Sequence, residues 1–183
     1  MRNERQNNLM LTSKDIFLHS PIAADLADGE VELLHGRMNL NDYRSGELIA
    51  ASGDGVADSL YLLVSGGLEI RVQSREGLNT FNLGTPGDLA NVIAFAGGGA
   101  AGVSTALRAT GETRVLSLSR SSFEELIFTH PLLVYRMSQA LVRYIHGVAC
   151  FLSADLDRLA QRIACPIDTG RASPKNVGAE LLA

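Results

Sequence analysis

Leu60-Tyr61-Leu62-Leu63-Val64-Ser65-Gly66-Gly67-Leu68-Glu69-Ile70-Arg71-Val72 is the stretch whose reading decides the fold. Residues 60–64 form an unbroken apolar run, the pattern of a core strand. Ser65-Gly66-Gly67 then makes a turn. Beyond it Leu68, Ile70 and Val72 alternate with Glu69, Arg71 and Gln73, so a second strand has one apolar and one polar face.

The same texture extends in both directions. Thr80 to Leu83, Val103 to Ala109 and Arg114 to Leu118 read as further strands, and Leu40, Tyr43 and Leu48-Ile49-Ala50 as short apolar pieces between polar turns. Short strands at close spacing with glycine turns predict an antiparallel β-roll, jelly-roll-like, over about 39–118. The fold class is therefore mainly β with flanking helices. Asp15-Ile16-Phe17-Leu18 and Pro21 to Met38 read as short N-terminal helices. After Ser119 the periodicity becomes helical: Ser121 or Ser122 caps a short helix, and Pro131 suits the first turn of a long one. Ser153 followed by Asp155 reads as a new N-cap, with a second helix over 154–164. The expected organisation is a flexible lead-in (1–12), a roll with its N-terminal helices (13–130), the long helix with the following short one (131–164) and an irregular tail (165–183).

The chain has 183 residues, net charge −4 and only two lysines, Lys14 and Lys175. Phosphate neutralisation needs a basic face, so no direct DNA binding is expected. No apolar run reaches the length of a membrane helix and residues 1–8 have no signal-peptide core, so the cytoplasm is the expected location. Cys150 and Cys165 have no metal-ligand spacing and are expected as buried or half-buried thiols. His19, His35, His130 and His146 are scattered, so no metal is expected. Paired carboxylates, a nucleophile elbow and a P-loop are all missing from the sequence, which points away from an enzyme.

Gly46-Glu47-Leu48-Ile49 with Gly53-Asp54, the stretch from Leu60 to Ile70, and Gly84-Thr85-Pro86-Gly87-Asp88-Leu89 together resemble the cyclic-nucleotide-binding domain of Crp/Fnr-type regulators. Leu107-Arg108-Ala109, Val115 to Leu118, Phe123 and His130-Pro131 extend the resemblance over about 14–164. It implies a sensor roll with a phosphate-binding cassette, here Gly87, Asp88, Leu89, Ala90, Asn91, Val103, Ser104 and Thr105. The family holds the ribose with a Glu, in G-E-[LI]-[AG], and the phosphate with an Arg. Aligning Gly87-Asp88-Leu89 places Asn91 where the Glu is expected, and aligning Leu107-Arg108-Ala109 places Val103 where the Arg is expected. Ser104 then stands at the small hydroxyl position that follows.

Losing one charge-assisted contact costs about 1.5–3 kcal/mol, so weak or altered ligand binding is expected; a cyclic nucleotide or another small anion remains the candidate ligand. Arg71, Arg75 and Arg108 are the candidate substitute cations. Ala96 to Gly102 reads either as an amide-rich anion nest or lid, or as a loose surface loop. Leu141, Ile145, Val148 and Leu152 form a stripe on the long helix, expected to pair in a homodimer or else to pack on the roll. In these regulators a winged helix-turn-helix follows, and residues 156–164 resemble its first helix. The expected function is a non-enzymatic regulatory or sensor module, with a possible protein partner. The alternative is a transcription regulator lacking its DNA-binding domain; a cupin-type enzyme is disfavoured because the histidines lie off the strands.

Overall fold

The computed structural model describes residues 11–51, 58–75, 77–96 and 104–164. The lead-in up to residue 10, the Gly53-Asp54 turn, residues 97–102, Val103, Cys165 and the tail lie outside the described residues, as does the side chain of Leu152.

Helix α1 (Ser13–Leu18) opens on a reciprocal cap: the Asp15 N–H donates to Thr12 Oγ1 at 3.2 Å, and the Thr12 N–H to Asp15 Oδ2 at 2.9 Å. Helix α2 (Asp28–Gly36) starts later than the apolar spacing from Pro21 predicts. Ala27 is extended (φ −73°, ψ 156°), and Glu30 Oε2 accepts its N–H at 2.9 Å, which sets the first turn there; residues 21–25 are turns.

Eight strands follow: β1 (Asn39–Tyr43), β2 (Leu48–Ala51), β3 (Ser59–Ser65), β4 (Leu68–Ser74), β5 (Gly77–Leu83), β6 (Leu89–Ala90), β7 (Ser104–Ala109) and β8 (Thr113–Ser119). They form two antiparallel four-stranded sheets, ordered β1-β8-β3-β6 and β2-β7-β4-β5. Between β6 and β7 lies the short helix α3 (Val92–Phe95).

The unbroken apolar run of β3 now has its explanation. Leu60, Leu62 and Val64 enter a cluster with Phe17, Ile22, Leu34, Leu126 and Leu133 from the helices. Tyr61 and Leu63 enter a second cluster between the sheets, with Ile49, Leu68, Leu107 and Val115. Both faces of β3 are covered, so alternation disappears. At the β3–β4 turn Gly66 has φ +86°, and a Cβ there would lie 2.3 Å from Glu112 O and 2.7 Å from Thr113 Cα. Only glycine fits.

Helix α4 (Arg120–Thr129) is capped by Ser119, whose Oγ accepts the Ser122 N–H at 3.2 Å, two to three residues ahead of the expected Ser121 or Ser122. Helix α5 begins at Pro131 as expected and runs unbroken to Ala164. The predicted break at Ser153 is corrected: its hydroxyl donates to Ala149 O at 2.9 Å, inside the helix, instead of capping a new one. The chain divides into two compact units, residues 1–146 and 147–183.

In the first unit α5 buries Leu133, Met137, Ala140 and Leu141 against the roll and its helices, and Ile145 is partly buried in the same cluster. Two members of the predicted dimer stripe, Leu141 and Ile145, therefore belong to the chain's own core. The apolar side chains that α5 leaves exposed in this unit are Leu132, Tyr135 and Val142. The Arg136–Glu30 ion pair (2.6 Å) ties α5 to α2. The second unit carries Val148, Cys150 and Phe151 exposed, which corrects the expectation of a buried thiol at Cys150.

Candidate functional site

Strand β6 pairs with β3 (Leu62↔Leu89, Tyr61↔Ala90), and this ladder fixes the residues before α3. Gly87, at φ +95°, donates its N–H to Leu63 O at 2.8 Å, and the Leu63 N–H donates to Asp88 O at 2.9 Å. The Asp88 carboxylate turns back and accepts the Thr85 N–H at 2.9 Å. It closes the glycine turn and leaves the start of α3 alone.

Asn91 is the non-glycine residue with positive φ (64°) among the described residues. Its side-chain Nδ2 donates to Ser59 O at 2.8 Å, which anchors a conformation costly for most L-residues. Left-handed backbone is what glycine ordinarily supplies, and Asn91 holds it immediately before Val92, the first residue of α3. Val92 is buried in the helix-side cluster and offers no polar atom to a ribose.

The other half of the cassette is split by strand alternation. Leu68, Ile70, Leu83, Leu107 and Ala109 pack between the sheets, so the interior face of β4, β5 and β7 carries Val72, Asn79, Phe81 and Thr105 as well. Ser104, Ala106 and Arg108 face outward. The hydroxyl on the interior face is that of Thr105, while Ser104 is exposed on the other. The substitute cations also fail to converge. Arg71 pairs with Glu69 at 2.6 Å on the outer face, Arg108 donates to Gly46 O at 3.1 Å, and Arg75 lies exposed at the end of β4. Among the described residues the interior face of this sheet holds no cation.

One cation that the sequence reading passed over does touch the cassette. Arg120, the first residue of α4, donates to Ala94 O at the far end of α3, and its Nε is buried without a hydrogen-bond partner among the described residues. It holds carbonyl oxygen, the wrong end for an anion. The rings of Phe95 and Phe123, 5.3 Å apart, pack α3 against α4 beside it. On the other side, the Tyr144 hydroxyl of α5 donates to Leu89 O at 3.3 Å. Burial raises the pKa of Tyr144, and the nearby negative charge of Asp88 adds to it. Burial pushes Tyr61 up to about 12. Among the described residues no group of His, Cys, Asp and Glu could hold a metal ion, and no helix is long and apolar enough to cross a membrane.

Comparison with known proteins accords with this geometry. Residues 40–130 match the family model described as the cyclic nucleotide-binding domain. No curated protein matches. Among solved structures, the chain is similar to the Thermus thermophilus catabolite activator protein, at 28% identity and TM-score 0.57, over 77% of this chain and 63% of that one. The matched region thus spans less than two thirds of that protein's length. The chain also shares its fold with the N-terminal domain of a transcriptional regulator from Streptomyces coelicolor A3(2), at 21% identity and TM-score 0.58, over 73% of this chain and 94% of that one. A cyclic nucleotide-binding domain from Methylobacillus flagellatus KT matches at 19% identity and TM-score 0.62, over 81% of this chain and 83% of that one. Residues 40–130 are a cyclic nucleotide-binding domain of the kind carried by Crp/Fnr-type regulators.

Proposed function

We propose that this chain is a non-enzymatic regulatory module whose roll does not recognise cyclic AMP or cyclic GMP with the affinity typical of its family. The observation that supports this reading is the left-handed backbone at Asn91: aligned with the glycine of G-E-[LI]-[AG], it gives Val92 for the carboxylate, and the sequence alignment gives Val103 for the Arg. Each replaced charge removes about 1.5–3 kcal/mol of recognition, and the loss of both weakens binding by about two to four orders of magnitude. The interior face of apolar side chains with Asn79 and Thr105 suits an uncharged ligand better than a phosphate. The contacts of α3 with Arg120 and Phe123, and of β6 with Tyr144, connect the cassette to α4 and α5, the elements through which occupancy would be relayed to a second copy or a protein partner.

A thermal-shift panel tests the reading. A ligand present at about 100 times its dissociation constant stabilises by about 2.7 kcal/mol, so cyclic mono- and dinucleotides at submillimolar concentration are expected to leave the melting temperature unchanged. A clear upward shift with cyclic AMP sinks the proposal.

A second reading, favoured by the 28% identity to a catabolite activator protein, is a transcription regulator of the same type that acts on DNA through a partner. Retention on heparin and salt-dependent binding to duplex DNA by the chain alone would favour direct DNA contact over both readings.

A further inference from the structure

Among the described residues the backbone ladders of the second sheet leave one long edge unpaired, and its geometry defines what can close it. Ala109 spends both backbone groups toward β2: its N–H donates to Glu47 O at 3.0 Å and its carbonyl accepts the Gly46 N–H at 2.7 Å. The Thr110 N–H turns the other way, to Gly67 O at 3.0 Å. Strand alternation then directs residues 104, 106 and 108 toward β4. Their register partners Gln73, Arg71 and Glu69 are consumed by β7, so Leu68, Ile70 and Val72 bond β5 through Leu83, Phe81 and Asn79. What remains on the outer side of β5 is the N–H and C=O of Leu78, Thr80 and Asn82.

Among the described residues this edge has none of the usual protection. Unpaired strands are ordinarily shielded by charge, proline, a bulge or short length. Of the other three sheet edges, β2 is four residues long with a register shift, β6 is two residues long, and β1 carries Asp42. Strand β5 has seven residues, pairs with β4 without a register shift, and contains no charged residue and no proline. Residues 78–82 are all exposed, Leu78 at 59% and Phe81 at 45%.

We propose that β5 is a self-association edge, closed by β5 of a second copy of this chain across a twofold axis at Thr80. The symmetry argument is restrictive. An axis perpendicular to the sheet keeps both copies' faces on the same side, so each residue must oppose one of like parity. An axis at Thr80 places Leu78 opposite Asn82 of the second copy and Thr80 opposite itself. All open backbone groups of the edge are then satisfied, each pair exchanging both N–H···O=C bonds. Charge is compatible: on the outer face the opposed pairs are Leu–Asn and Thr–Thr, and on the inner face Asn79 meets Phe81. No like charges face one another, a condition that a self-opposing residue meets only when it is neutral. The outcome is a continuous eight-stranded sheet through an isologous contact. It is independent of what the roll binds and uses a surface separate from α5.

Light scattering at tens of micromolar protein tests it. Thr80→Pro removes an outward-pointing N–H that β4 does not use, so the variant is expected to keep its circular dichroism and show half the wild-type mass. Thr80→Lys and Thr80→Glu are each expected to halve the mass as well, because each charge meets its own copy on the axis. An equimolar mixture of these two is expected to regain the wild-type mass, an outcome that also decides the matter if the proline variant does not fold. A monomeric wild type, folded variants that keep the wild-type mass, or a mixture that stays dissociated would overturn the proposal.

Discussion

The hydroxyl of Tyr144 in α5 donates to the carbonyl of Leu89, 3.3 Å away and two residues ahead of Asn91. A side chain of the long helix thus holds the strand that sets the cassette. Tyr144→Phe removes the bond with little change of volume and is expected to cost about 0.5–1.5 kcal/mol in urea unfolding. Amide exchange should quicken at β6 and α3 more than in β8. Uniform loss of protection across the roll would mean that the bond stabilises the domain without holding the cassette.

Alkaline stability follows from the same tyrosines. Tyr61, pushed up to about 12 from an ordinary 10.0, and Tyr144, also raised, keep their protons in the folded state after the unfolded chain has lost them. Their contribution is complete below about pH 10 and is lost as the pH climbs through the folded values. The unfolding free energy is expected to fall steadily above pH 10, and tyrosinate absorbance at 295 nm should lag the ordinary phenol titration until the protein unfolds. A flat stability between pH 10 and 12 would contradict both shifts.

Asn91 separates two costs, left-handed backbone and a lost side-chain bond to Ser59 O. Asn91→Gly loses only the bond. Asn91→Ala loses the bond and retains the strained φ. Alanine is expected to be the less stable of the two variants by about 1–2 kcal/mol in urea titrations. Equal stability would mean that the backbone relaxes there.

On α5, Leu132, Tyr135 and Val142 form the exposed apolar face of the first unit, and we expect it to pair with its counterpart in a second copy. Val142→Glu places a charge in that contact and is expected to lower the mass seen by analytical ultracentrifugation, while Leu141→Ala, a core cavity, should cost about 2–5 kcal/mol of stability. If Val142→Glu leaves the mass unchanged, this face of α5 does not pair with a second copy.

The roll was legible in the sequence because its strands carry their burial as a pattern. Leu68, Ile70 and Val72 alternate, and Leu60 to Val64 do not, since the latter are covered by helices on one side and the opposite sheet on the other. The cassette register was not legible. Asn91 reads in sequence as a polar substitute for a carboxylate, and its positive φ, which supports the alternative alignment with the glycine, is not visible there. Ser153 was misread for a related reason: the same hydroxyl that caps a helix also bonds a carbonyl one turn back, and residue identity does not distinguish the two uses. Leu141 and Ile145 have the spacing of an interface, but an amphipathic stripe looks the same whether its own roll or a second copy covers it. Arg120 gave no signal in the sequence, because its partner is a backbone carbonyl 26 positions away.

Isothermal titration of cyclic AMP into the wild-type chain and into a Val92→Glu, Val103→Arg double variant tests the central claim most directly. The wild type is expected to give no saturable heat in the micromolar range, and the double variant to gain measurable affinity at the restored charges. A low-micromolar dissociation constant for the wild type would contradict the claim that this cassette has lost its recognition of cyclic nucleotides.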